Sequence, residues 1–118
     1  MPYSKVIEEK IERMIGHWRK IEKKKMFGGI CYLLNGNMCF GIYKDYLIVR
    51  TGIDVAEKKL KEKNVKPFDI TGKALKGWVM VRERGWKKQE DIENWLNLGK
   101  EYALTLPEKH ARTSKKKT

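Results

Sequence analysis

The side chains most capable of chemistry are few and scattered. Cys31 and Cys39 are the only thiols, and His17 and His110 the only imidazoles. Zinc sites draw their ligands as close Cys or His pairs, a spacing these four residues do not offer. Two cysteines without such a pattern read as free structural thiols of a reducing compartment. Ser4 and Ser114 are the only serines and both lie near the ends. His17 falls one step from the apolar stripe of its own segment, a place that a boundary residue explains better than a general base. Asp45, Asp54 and Asp69 occupy turn, cap and strand-end positions, the ordinary places for aspartate. The residues therefore point away from catalysis, with no cofactor and no metal expected.

The stretch "DITGKALKGWVMVRERGWKK" poses a second question, because Gly72 and Gly77 have the spacing of a phosphate-cradling loop. Such a loop needs Lys and then Ser or Thr after its second glycine, leading into a helix. Here Trp78 and Val79 follow, leading into an extended segment. The glycines read instead as turn points. Basic residues interleaved with aromatics remain: Arg50, Lys73, Lys76, Arg82 and Arg84, with Trp78 and Trp86 among them. That mixture suits phosphate contact and base stacking, although no RNP, helix-turn-helix or finger pattern accompanies it.

Charge supports a polyanion partner only in general terms. The formal net charge of the 118 residues is +12, in equal shares of +4 from residues 1–26, 27–107 and 108–118. The ends are thus the most basic per residue, and Lys115, Lys116 and Lys117 crown the C-terminal one. Such a chain attracts phosphates at low salt whatever its purpose. There is no apolar run long enough for a membrane span and no secretory signal, so a cytoplasmic location is expected.

The elements that position these residues can be read from periodicity. Ile7, Ile11, Met14, Trp18 and Ile21 recur at helical steps, which predicts an amphipathic helix over 4–22 with Ser4 as its N-cap. "GGICYLLNGNMCFGIYKDYLIVRTG" alternates β-branched and aromatic residues around Asn35-Gly36, a strong hairpin signal. Three antiparallel strands are expected at about 29–34, 37–43 and 46–51. With a two-residue turn, Cys31, Leu33, Met38, Phe40 and Ile42 share one face, and Ile30, Tyr32, Leu34, Cys39 and Tyr43 the other. The two cysteines then cannot form a disulfide. Both faces are apolar, so one covers the first helix and the second meets another helix, a partner or a ligand.

A short helix over 53–64, capped by Asp54 or Thr51, comes next, followed by the extended segments "VKPFDI" and "GWVMVRE". A final helix from about Lys88 to Leu106 is stopped by Pro107. The expectation is one α+β domain over 1–107, ordered helix, three-stranded antiparallel meander, helix, two strands, helix, with 108–118 as a disordered basic tail.

The stretches "KMFGGICYLLNGNMCFGIYKDYLIVRTG", "KPFDITGKALKGWVMV" and "IENWLNLGKEYALTLPEK" also carry a resemblance. From about Lys25 to Lys109 the chain resembles the N-terminal domain family of the TfoX/Sxy competence regulators. The marks are Met26, Phe27, Gly28 and Gly29, then Arg50, Pro67 and Phe68, then Gly72 with Lys76, Gly77 and Trp78. The resemblance implies a secretion-chaperone-like fold. It also implies a role in transcriptional regulation of bacterial DNA-uptake genes, acting with the cyclic-AMP receptor protein rather than by catalysis. The full-length regulators carry a further C-terminal domain where this chain has its lysine-rich tail. Two functions are therefore weighed: a regulatory module that contacts a protein partner or a second copy through an apolar sheet face, and direct, mainly electrostatic nucleic-acid binding. The second would use Arg50, Lys73, Lys76, Arg82, Arg84 and Lys115, Lys116 and Lys117.

Overall fold

A computed structural model describes residues 3–26, 28–70 and 72–108. Helix α1 (Lys5–Ile15) begins where the sequence predicts, with Ser4 accepting a hydrogen bond from the Ile7 amide at 3.2 Å. It ends earlier than predicted, at Gly16. The chain then turns, with the Trp18 amide on the Ile15 carbonyl, and Lys20 takes a φ of 58°. Residues Ile21–Met26 form strand β1, not the end of a helix. Trp18 and Ile21 do face the core, but from a connection and a strand, so their helical spacing is coincidental. The remaining β1 residues are exposed and mostly charged, so this edge strand carries no apolar alternation of its own. Its pairing along the whole of β2 (Gly29–Leu34) holds it in place, and its lysines blunt the free edge.

The meander follows as expected, with β3 (Asn37–Tyr43) and β4 (Tyr46–Arg50). Asn35 and Gly36 have φ of 54° and 81°, as a two-residue hairpin turn requires. Register shifts once, however, because Tyr32 pairs with Phe40 while Leu33 pairs with Met38. Cys39 is the extra residue of this bulge, and everything after it changes face. Ile30, Tyr32, Leu34, Phe40 and Ile42 pack together in the principal core, and Cys39 joins them. The predicted grouping of Phe40 and Ile42 with Cys31 is thereby corrected. Both cysteines are free, as expected.

Helix α2 (Ile53–Lys59) is shorter than predicted and starts from Gly52, with no side-chain cap from Asp54 or Thr51. Strands β5 (Val65–Pro67) and β6 (Trp78–Val81) complete a six-stranded antiparallel sheet of order β1-β2-β3-β4-β6-β5. Strand β6 stops at Val81, and Arg82 opens the short helix α3 (Glu83–Trp86), which replaces the predicted extension through Glu83. Helix α4 (Gln89–Leu104) matches its prediction closely. The architecture is α+β, with one strand and one short helix more than the sequence suggested.

The helices and the sheet enclose the main core through Ile7 and Ile11 of α1, Leu47, Val49, Val79 and Val81 of the sheet, and Ile92 and Leu96 of α4. A second, smaller cluster of Ile48, Phe68 and Met80 lies on the opposite face. There the 68–77 connection folds back over the sheet, with the Leu75 amide on the Phe68 carbonyl. Both apolar faces found in the sequence are thus used, the second only in part.

Candidate functional site

The family marks gather unequally. Arg50 ends β4 opposite Trp78 at the start of β6. Its guanidinium lies 5.4 Å from the ring centroid of Trp78 and 5.4 Å from that of Tyr102 on α4, and donates to the Met38 carbonyl. Gly77 has a φ of 86°, which only glycine adopts freely, and its carbonyl accepts from the amides of Thr51 and Gly52. Phe68 packs on Trp78 with ring centroids 5.5 Å apart, just beyond Pro67 at the end of β5. Arg50, Gly77, Trp78, Pro67 and Phe68 therefore form one structural joint. Arg50 is half-buried beside two rings, so its guanidinium already has partners within the fold.

Other marks stand elsewhere. Met26 is 44% exposed at the end of β1, Gly28 turns with a φ of 79°, and Gly29 opens β2, all at the far edge of the sheet from β5. Gly72, Lys73 and Lys76 are exposed on the 68–77 connection. Arg82 and Arg84 lie at the other end of β6 from Trp78, so the five proposed cations do not form one surface. Phe27, His110, Ser114, Lys115, Lys116 and Lys117, and with them the predicted tail, lie outside the described residues.

Between α2 and the 68–77 connection lies an apolar groove of about 230 Å³, walled by Ile53, Leu60, Leu75 and Trp78. A polar cavity of about 330 Å³ lies at the other end of β6, bordered by Lys59, Lys63, Asn64, Arg84, Asp91 and Trp95. That Lys59 and Lys63 border one cavity with Arg84 depends on the path of β5 and β6, for which no local pattern of residues gives a signal.

Two acids of α1, Glu8 and Glu12, are engaged with the sheet. Lys23 of β1 pairs with Glu8 and Glu12, and the Tyr32 hydroxyl donates to Glu12. The hydrogen bond from Lys23 holds the Glu8 carboxyl below its usual value, and those to Glu12 and Glu8 raise the Lys23 ammonium. Burial, and then the Glu12 charge, pushes the Tyr32 phenol well up. Burial also pushes both the Cys31 and Cys39 thiols up to about 12, the opposite of nucleophile activation. Among the described residues no group of His, Cys, Asp and Glu gathers to hold a metal, and no helix is long and apolar enough to cross a membrane.

These features can be set beside known proteins. Residues 13–103 match the sequence model of the TfoX N-terminal domain, which covers β1 through nearly all of α4 and begins within α1. No curated protein and no solved structure matches the chain.

Proposed function

We propose that this chain, which belongs to the TfoX N-terminal domain family, is a non-catalytic regulatory module that works by binding another protein. The observation that supports this reading is the uneven cover of the sheet face turned away from the helices. Over β4, β5 and β6 the 68–77 connection buries Ile48, Phe68 and Met80. Toward β1, Leu33 and Met38 stay half-buried and Met26 is 44% exposed, while Tyr43 and Tyr46 flank the covered cluster. Aromatic residues and methionine beside an apolar sheet are the composition that protein interfaces favour. By the resemblance, the partner is the cyclic-AMP receptor protein and the output is expression of DNA-uptake genes.

The test is a titration of this chain onto fluorescently labelled cyclic-AMP receptor protein from the same organism. Saturable binding is expected, weakened tenfold or more, about 1.4 kcal/mol, by Leu33→Glu with Met38→Glu. No binding, or equal binding by the double variant, overturns the reading.

A further inference from the structure

We infer that the corner where the α2–β5 turn meets α3 binds the phosphate backbone of nucleic acid. Residues 58–64 and 82–88 together carry eight lysines and arginines against two glutamates, a net +6 and half of the formal +12 of the chain. The fold fastens these two segments together. The Arg82 amide donates to the Asn64 carbonyl at 2.8 Å, and the Arg82 guanidinium donates to the Lys63 carbonyl at 3.2 Å. A side chain at Gly85 would strike Val81 at 2.6 Å and Asn64 at 3.1 Å, so glycine is what lets α3 lie against the turn.

The structure separates cations already engaged from those available. Lys23 is matched by Glu8 and Glu12, Lys20 by Glu108, and Arg50 by two rings. In the corner, Lys59 pairs with Glu62 at 3.1 Å and lies over the Trp95 ring. Lys58, Lys61, Lys63, Arg84, Lys87 and Lys88 are exposed and have no ion pair among the described residues. The cavity between the segments adds the amides of Asn64 and Asn94, a side-chain type that also donates to phosphate oxygens. Its acids are Glu62, already paired, and Asp91, in the first turn of α4.

Concentrated cations suit several anionic partners, and apolar content decides among them. A protein interface has an apolar centre, and a membrane-seated surface inserts large apolar side chains. None of the exposed large hydrophobics, Val6, Met26, Ile53, Leu75 and Leu104, belongs to either segment. A surface of cations and amides without apolar anchors is what sequence-independent backbone binding requires. This inference does not depend on the protein-binding reading, which concerns the sheet face.

The experiment measures binding of the full chain to a fluorescein-labelled DNA duplex across a salt series. The corner variant combines Lys61→Gln, Lys63→Gln, Arg84→Gln and Lys87→Gln. A control of equal net charge combines Arg13→Gln, Arg19→Gln, Lys24→Gln and Lys25→Gln, all exposed positions. The corner variant should lose roughly tenfold or more in affinity at low salt and flatten log K against log salt by about 2. The control should change much less, and Lys61→Arg, Lys63→Arg and Lys87→Arg together should retain wild-type affinity. Equal losses in corner and control variants overturn the proposal, because binding then follows total charge. So does preferential binding of phosphatidylserine vesicles over the duplex, which assigns the corner to membranes.

Discussion

Arg50 shows how a basic residue in a suggestive sequence can be structural. A guanidinium held near two aromatic faces gains cation–π attraction and flat stacking that an ammonium only partly reproduces. Arg50→Lys should therefore destabilise the fold by about 1 kcal/mol and Arg50→Ala by about 2 kcal/mol, read from urea unfolding curves. If Arg50→Lys leaves stability intact and instead weakens duplex binding, the residue is a contact after all. Arg50, Gly77 and Trp78 stood out in the sequence as family marks, and the structure explains them together. Tyr102 did not stand out, since on an amphipathic helix an aromatic at an inward step reads simply as core. Its role comes from the end of β4 lying beside the last turns of α4.

Elements divide by whether their own residues announce them. The start of α1 is written locally in Ser4 and in the Ile7–Ile11 stripe, and α4 in Ile92, Trp95, Leu96, Gly99 and Ala103. Strand β1 is not, because its partners supply what its own sequence lacks. Lys23 joins it to α1 through Glu8 and Glu12, and that link sets a pH dependence. The Glu8 carboxyl sits below its ordinary value of 4.5, so its contribution is present above that pH and is lost as pH falls through the depressed folded value. The Lys23 ammonium sits above its ordinary 10.5, so its share is full below that pH and is lost as pH rises through the raised folded value. Glu8→Gln should accordingly flatten the acid limb of Tm against pH, below about 4.5, and leave the slope between pH 6 and 8 unchanged, as followed by circular dichroism. An acid limb as steep as that of the wild type would remove this account of α1 docking.

For the molecule as a whole, the sheet is a partition between two apolar layers of unequal thickness. Cys31 and Cys39 are both fully buried within it, and Cys39 also donates to the Tyr32 carbonyl at 3.4 Å. With their thiols held at about 12, native protein at pH 8 should alkylate roughly a hundredfold or more slowly than protein in denaturing urea. Mass spectrometry should find the two sites reacting together, at the rate of unfolding. Rapid labelling of one thiol in native protein would mean that its part of the sheet opens by itself.

The amino-acid sequence by itself determined the α+β class, the hairpin at Asn35-Gly36, the meander strands, the last helix and the family. Each of these rests on local steric preference or on a periodicity that one segment displays alone. Tertiary structure alone decided that Ile21–Met26 is a strand, that the Cys39 bulge moves Phe40 and Ile42 to the helix side, and that β6 lies between β4 and β5. It also decided which cations are engaged and which are available, because pairing depends on groups brought together from distant parts of the chain. Lys23 and Lys63 are alike as letters, and only their neighbours across space make one a clasp and leave the other without an ion pair among the described residues.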